Sequence, residues 1–410
     1  MTLVADTAAQ LLRLGTARQH PAGAIVGLDT PDGRDVAAAG WARLTDHECA
    51  AQPADRRSLL DLASVTKVAA TTVLAMLLVA DGQLDLGAPA HHYLGGFADG
   101  AKAKITVEQL LRHTAGLAPW WPLYCDTTDR DTALRRVREL PLAAAPDTGW
   151  RYSDLGPILA GHIIEVITGS GLDEVFRQCV AEPLALTARF GPVPADAALT
   201  SADSDAYEYA MVAGGRPYPV PFTPGAFTGW RDHALRGVVN DGNTAHALAG
   251  VSGHAGLFAS VDDLLDLAAA LRDPDFIPPA VLRRFAEPGP HSATSAIGFR
   301  RAELSPRPGC EGPVTVLWHG GFTGTFLALS PEHRLAVAGG AMRLHGTLGR
   351  LPTDAAATDT PTLVATGDIH AMFFGLAHRT ISHPGAIGHS GIDHSGIDHS
   401  GIDQLKEDAQ

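Results

Sequence analysis

The amino-acid sequence predicts an α+β fold. An antiparallel sheet is built from both ends of the chain, flanked by helices, with an inserted and mainly helical lobe. Three observations predict it. Strand-like runs occur near the start (23–44) and again after residue 295, whereas the residues between them carry helical periodicity. Helix-start signals cluster in that middle region. At 410 residues the chain is long enough for a large core and two structural lobes.

Taken in order, residues 7–18 read as an amphipathic helix with Leu11, Leu12 and Leu14 near one face. Two strand-like runs around Pro31-Asp32-Gly33 then read as a β-hairpin. A helix is expected to begin around Ser64–Lys67 and stop near Asp81-Gly82. Thr106 and Gln109 have capping-box spacing, so a short helix should run to about Gly116, followed by an aromatic loop, "APWWPLY". Residues 128–139, 155–168 and 172–180 read as further helices, and 183–255, rich in Pro, Gly, Ala and Asp, as long irregular connections with some helix. Ser260 and Asp263 form another capping box. Beyond it "SAIGFRRA", "TVLWHGG", "TFLALS" and "LAVAGGAM" read as strands, and 367–381 as a closing helix. The tail repeats "SGIDH" with a period of five, which fits neither helix nor solenoid and predicts a disordered extension.

Composition narrows the function classes. Hydrophobic content of 45% and charged content of 19% describe a globular protein, and the net charge of −14 contains no basic block, so nucleic acid and anionic membrane surfaces are not expected partners. Cys49, Cys125, Cys179 and Cys310 form no C-x-x-C pair and read as reduced. Asp241, Asn243 and His233 fit no metal-ligand spacing, and neither a metal nor a cofactor is expected. The N-terminus lacks a signal-peptide pattern and the apolar run 68–80 is short for a bilayer, so a cytoplasmic protein is expected.

The chemistry is carried by "LASVTK", residues 62–67. Lysine is scarce: only Lys67, Lys102, Lys104 and Lys406 occur among 31 basic residues. On a helix, positions i and i+3 share a face, so Ser64 and Lys67 point the same way. A serine hydroxyl is a weak nucleophile until a neighbour takes its proton, which a lysine can do and an arginine cannot. The bland alternative is an N-cap serine and a snorkelling lysine. Two further stretches weigh against it: "WRYSDLG", with Tyr152, Ser153 and Asp154, and "LWHGGFTGTFLALSPE", with His319, Gly320 and Gly321.

In order and spacing these three stretches resemble the motifs of the serine β-lactamase and penicillin-binding-protein superfamily: Ser-x-x-Lys, Tyr- or Ser-x-Asn, and a Lys/His-x-Gly strand. "LLRHTAGL" is similar to the family's HTSGL segment, and "GVSGHAGLFAS" adds support. The resemblance covers roughly residues 15–380 and is nearest to class C β-lactamases, DD-peptidases and family VIII carboxylesterases. It implies a β-lactamase/transpeptidase-like fold and an acyl-enzyme mechanism. Ser64 would be the nucleophile, with Lys67 and Tyr152 moving its proton. The backbone N–H groups of Ser64 and of Phe322, expected on the following strand, would form an oxyanion hole. Gly320 and Gly321 would let substrate lie close to the strand. Trp120, Trp121 and Tyr124 are candidate walls of an acyl pocket, and His254 could approach the site.

The sequence departs from that pattern at two points. Asp154 stands where asparagine is usual; an ionised carboxylate only accepts hydrogen bonds, and it favours a charged Lys67. His319 replaces a lysine that meets the substrate carboxylate and is a conditional cation. Both suit a small or neutral acyl substrate. The expected function is a carboxylesterase-type serine hydrolase acting on a small-molecule ester or amide. The alternatives are a DD-carboxypeptidase, D-aminopeptidase or weak β-lactamase, and a silent acyl-ligand-binding homologue. The expected division is a discontinuous sheet domain of residues 1–58 plus 256–382, a helical lobe of residues 59–255 and a disordered tail, 383–410.

Overall fold

The computed structural model describes residues 2–16, 20–45, 49–97, 100–304, 312–352 and 361–382. The repeat tail and Cys310 lie outside them. Seven strands form the main sheet: β1 (Gly23–Thr30), β2 (Gly33–Arg43), β3 (Gln52–Pro53), β4 (Arg300–Leu304), β5 (Val314–Gly320), β6 (Thr325–Leu329) and β7 (Ala336–Ala341). Their order is β3-β2-β1-β7-β6-β5-β4, every pairing antiparallel. The first and last long strands meet at the centre, with Ala24 opposite Ala341 and Leu28 opposite Val337. The sheet is thus made from the two ends of the chain, and the remainder is inserted between β3 and β4 as a mainly helical lobe with helices flanking the sheet.

Strand alternation sorts the two faces. Ala24, Val26, Leu28, Trp318, Phe326 and Ala328 pack with Val4, Ala8 and Leu11 of α1 (Leu3–Leu11) and with Phe373 and Phe374 of the closing helix Thr366–Ser382. Ile25, Leu317, Leu327 and Leu329 face the other way, into a larger core shared with the lobe and with Val261, Leu264 and Leu265 of the helix Val261–Ala270.

Local chemistry explains most boundaries. The capping boxes at Thr106/Gln109 and Ser260/Asp263 both close, and Gly169 ends the helix Leu155–Thr168 in the left-handed region at φ 69°. Several boundaries differ from the sequence expectation, among them the short helix expected to reach Gly116, which ends at Leu111. The first helix begins four residues earlier than expected, because Thr2 accepts from Ala5 N and acts as its cap. The strand expected from 295 begins at Arg300, because Gly298 turns the chain at φ +76°. Residues 63–80 are not one α-helix: a 3₁₀ turn (Ala63–Val65) leads into a wide π-type segment (Lys67–Thr72) and only then into α-helix (Val73–Ala80). This stretch has the length and apolarity of a membrane span, yet 78% of it is buried inside the protein.

Candidate active site

Ser64 sits on the 3₁₀ turn, not on the helix that follows. The turn is tied down on all sides. Asp61 Oδ1 accepts from Ala63 N at 2.9 Å and Asp61 Oδ2 from Asn240 N at 2.6 Å, while Thr323 and Thr325 donate to the carbonyls of Asp61 and Leu62. Ala63 is held at φ 44°, a left-handed conformation rare outside glycine. Strain of this kind needs surroundings that over-determine it, and these bonds do so.

One turn on, Lys67 is only 2% exposed. Its ammonium donates to Ser64 Oγ at 2.8 Å and to the His254 carbonyl at 3.1 Å, and meets Asp154 Oδ1 at 2.8 Å. Ser64 Oγ, the His254 carbonyl, the Asp154 carboxylate and Tyr152 thus crowd round one ammonium that has only three N–H bonds. Burial pulls the ammonium toward deprotonation, but the Asp154 carboxylate, followed by Tyr152, outweighs it and holds Lys67 above the ordinary lysine value.

Tyr152 and Asp154 arrive on the segment before the helix Leu155–Thr168. Ser153 Oγ donates to Ala118 O at 2.7 Å and accepts from Leu155 N, and Asp154 N donates to Pro119 O at 2.9 Å. Tyr152 lies against Lys67 and Ser64, its ring centroid 5.2 Å from Lys67 Nζ and its hydroxyl within interaction range of both residues. Burial pushes it up, Lys67 pulls it back and Asp154 raises it, leaving it above the ordinary tyrosine value. His113, from "LLRHTAGL", supports this segment. Its Nδ1 accepts from Ser153 N at 3.2 Å and its ring packs on the Tyr152 ring at 4.7 Å. Burial, then the charges of Lys67 and Arg300, push His113 down to about 3, so it is neutral.

His319 faces the same centre from β5, its ring 6.0 Å from that of Tyr152. It is 2% exposed, and its Nδ1 lies 2.8 Å from Gly320 O. Burial, then Lys67 and Arg300, push it well below the ordinary histidine value, so the conditional cation expected here is a neutral imidazole. The two glycines answer to their neighbours: a side chain at Gly321 would strike Thr325 Oγ1 and Leu62 O, and one at Gly320 would strike His370. Phe322 lies in the turn between β5 and β6, not on the following strand as expected.

Ser64, Tyr152, His319, Gly320, Gly321 and Phe322 all line one cavity of about 910 Å³. Trp120, Trp121 and Tyr124 are not among its lining residues. Trp120 packs toward Tyr218, Trp121 packs against Phe222 and donates to Asp126, and Tyr124 is 2% exposed with its hydroxyl on Glu208 at 2.8 Å. The expected aromatic wall is supplied instead by Trp150, Tyr207, Tyr218 and Trp318. Asp241 and Asn243 are spent on protein contacts: Asp241 with His254 Nε2 at 3.0 Å, Asn243 with Leu123 N and Trp121 O. His254 therefore does approach the site, through its carbonyl.

The sequence matches the beta-lactamase family over residues 8–360. The chain belongs to the beta-lactamase family. Among curated relatives, this family member is 29% identical over 310 residues to an N-acetylmuramyl-L-alanine amidase of Bacillus subtilis, covering 69% of this chain and 67% of that protein. It is 26% identical over 313 residues to a putative D-alanyl-D-alanine carboxypeptidase of Salmonella typhimurium, covering 69% of each. Among solved structures it is similar to EstCE1, a hydrolase with promiscuous acyltransferase activity, at a TM-score of 0.62 and 21% identity over 92% of this chain and 96% of that one. That likeness is one of fold.

Proposed function

We propose that this chain is a serine hydrolase of carboxylesterase type that works through an acyl-enzyme. The observation that carries this reading is the hydrogen bond from Lys67 Nζ to Ser64 Oγ at 2.8 Å, with Tyr152 against both and with Ser64 and Tyr152 lining the cavity. Ser64 Oγ bonds to the acyl carbon while its proton passes to the Lys67–Tyr152 pair. The carbonyl oxygen, now anionic, is received by the N–H groups of Ser64 and Phe322. The C–O bond to the leaving group then breaks, and the pair returns the proton to the departing oxygen. Water repeats the sequence and releases the acid. Lys67 and Tyr152 are both in their acid forms at neutral pH, so the pair must first lose one proton to become a base.

A second reading, amide hydrolysis of D-amino-acid or cell-wall peptides, is favoured by the names of the two curated relatives. The test is a panel of nitrophenyl esters, a chromogenic cephalosporin and D-alanyl peptides, run beside a fluorophosphonate probe. Turnover and labelling are expected in the wild type and lost in Ser64→Ala. Lys67→Ala and Tyr152→Phe are each expected to lose on the order of a hundredfold in kcat, the usual scale for acid–base catalysis. An unlabelled wild type would favour a silent ligand-binding homologue, and full activity in Ser64→Ala would sink the mechanism.

A further inference from the structure

Asp241, Ser252 and His254 form a polar chain that does not line the cavity and whose side chains the acyl-enzyme chemistry leaves unused. The His254 imidazole is 1% exposed, with Nε2 3.0 Å from Asp241 Oδ1 and Nδ1 2.7 Å from Ser252 Oγ. Burial pushes the Asp241 carboxyl up, but His254, followed by Thr244, outweighs it and holds the group well below the ordinary carboxylate value. A carboxylate only accepts, so Nε2 carries a proton. Serine, histidine and aspartate are the residue types of a second nucleophilic site. Ser252, however, is 5% exposed, and the cavity it lines measures about 10 Å³, room for one water. No substrate reaches it, so the chain is a tether and not a triad.

Its load is the peptide that receives Lys67. The His254 carbonyl accepts from Lys67 Nζ at 3.1 Å, and the carbonyl one residue earlier, Gly253 O, accepts from Thr71 Oγ1 at 2.7 Å. Gly253 also presses on the helix Leu155–Thr168, where a side chain would strike Pro157 O and Gly161. Residues 252–254 are thus held by their backbone on one side and by the imidazole on the other. The far anchor also serves the nucleophile. Asp241 follows Asn240, whose N–H is the one that Asp61 accepts at 2.6 Å while Asp61 fixes the Ser64 turn through Ala63 N. Arg231 donates to Asn240 O at 2.8 Å and is itself paired with Asp205 at 2.7 Å. One dipeptide, Asn240-Asp241, therefore braces the serine turn with its backbone and the acceptor of Lys67 with its side chain.

We propose that His254 is a positioning residue for Lys67. Pinned between Asp241 and Ser252, its imidazole fixes the orientation of its own carbonyl, which holds one ammonium N–H and so aims the other two. Four groups crowd round that ammonium and its N–H bonds diverge, so the first acceptor decides whether another N–H reaches Ser64 Oγ. With the carbonyl free to turn, the Asp154 carboxylate captures the ammonium, because hydrogen bonds between charged partners are the strong ones, and Ser64 loses its partner. The proposal rests on the hydrolase reading above and deepens it.

The experiment follows fluorophosphonate labelling up to saturating probe, which separates the maximal rate, kinact, from the apparent affinity, KI. His254→Asn keeps the reach to Ser252 and loses Asp241, whereas His254→Gln carries an N–H out toward Asp241. In His254→Asn kinact should fall about tenfold, the scale of one hydrogen bond to a charged group, with KI unchanged. His254→Gln should recover most of that loss. In an Asp241→Ala background the two variants should label alike, since the partner that distinguishes them is gone. The same substitution is then made in Lys67→Ala. A residue that acts through Lys67 has nothing left to position there, so His254→Asn should cost no more than about twofold. A general loss of packing would lower the rate in both backgrounds. Thermal melts confirm that each variant is folded, and Ser252→Ala, which frees Nδ1, stands in for a variant at 254 that is not. Equal kinact in wild type and folded His254→Asn, or the same loss with and without Lys67, overturns the proposal. Failure of the hydrolase reading looks different: the wild type itself neither labels nor turns over an ester.

Discussion

Lys67 Nζ stands 2.8 Å from Asp154 Oδ1, the same distance that separates it from Ser64 Oγ. The Asp154 carboxylate and the Ser64 hydroxyl therefore compete for one buried ammonium. Coulomb attraction at this separation is worth several kcal/mol even at the effective dielectric of a protein surface. The Asp154 charge raises Lys67 and also raises Tyr152, so it keeps both partners of Ser64 protonated.

Asp154→Asn should thus act on the pH dependence before anything else. Wild-type kcat/KM for a nitrophenyl ester should climb toward alkaline pH as the Lys67–Tyr152 pair gives up its first proton. Removing the anion should move that rising limb to lower pH by about one unit or more, given the size of the Coulomb interaction. The new amide can also donate to a substrate carbonyl, so the ratio of cephalosporin to ester kcat/KM should rise about three- to tenfold, the worth of one good hydrogen bond. A limb that stays in place while both rates collapse together would mean that Asp154 serves to position Lys67.

His113 makes an acid-stability prediction. Its folded value, about 3, lies below the ordinary 6.5. A depressed histidine contributes stability that is fully present above 6.5 and is lost as pH falls toward 3, because the unfolded chain binds the proton first. Between pH 7 and pH 4 this one residue should cost about 3 kcal/mol. His113→Asn keeps an acceptor for Ser153 N and tolerates the φ of 58° at this position. Urea unfolding at the two pH values should show a loss smaller by about that amount in the variant. Equal losses would mean that His113 is not held neutral.

Much of this arrangement is local and so could be read from the sequence. Capping boxes at Thr106 and Ser260 join residues only three apart, and the Ser64–Lys67 spacing brings the two side chains together even though the turn there is 3₁₀ and the next is π-type. The end-to-end sheet was legible because both strand sets contain short apolar runs bounded by turn residues, which the fold buries on both faces. What was not legible depends on contacts between distant segments. Nothing near Gly320 announces that its side-chain space belongs to His370, fifty residues on, or that Arg300 and Arg343 reach the same cavity. Tertiary surroundings also reverse charge expectations: the His319 seen as a conditional cation is held neutral first by burial and then by the charges of Lys67 and Arg300. The aromatic run at 120–124 looked like a pocket wall, yet tertiary packing turned Tyr124 onto Glu208.

The last prediction concerns Ala63, the residue that aims Ser64. Its φ of 44° is strained for any residue with a Cβ and most strained for a β-branched one. Ala63→Gly removes that strain, worth about 1 kcal/mol, but it also deletes a methyl that is 4% exposed, worth about 0.8 kcal/mol, and loosens the unfolded chain. The two effects nearly cancel, so the glycine variant should melt within a few degrees of wild type. Ala63→Val has no such compensation. It must either accept a φ that its branched side chain resists or rotate the turn, and rotation breaks the Asp61–Ala63 bond and swings Ser64 away from Lys67. We expect it to lose at least about 2 kcal/mol of stability, the scale for strain at a special backbone position, and at least tenfold in fluorophosphonate labelling rate. The two readouts should separate the variants cleanly. If valine melts and labels like glycine, the left-handed turn is not what orients the nucleophile, and Asp61 holds nothing that catalysis needs.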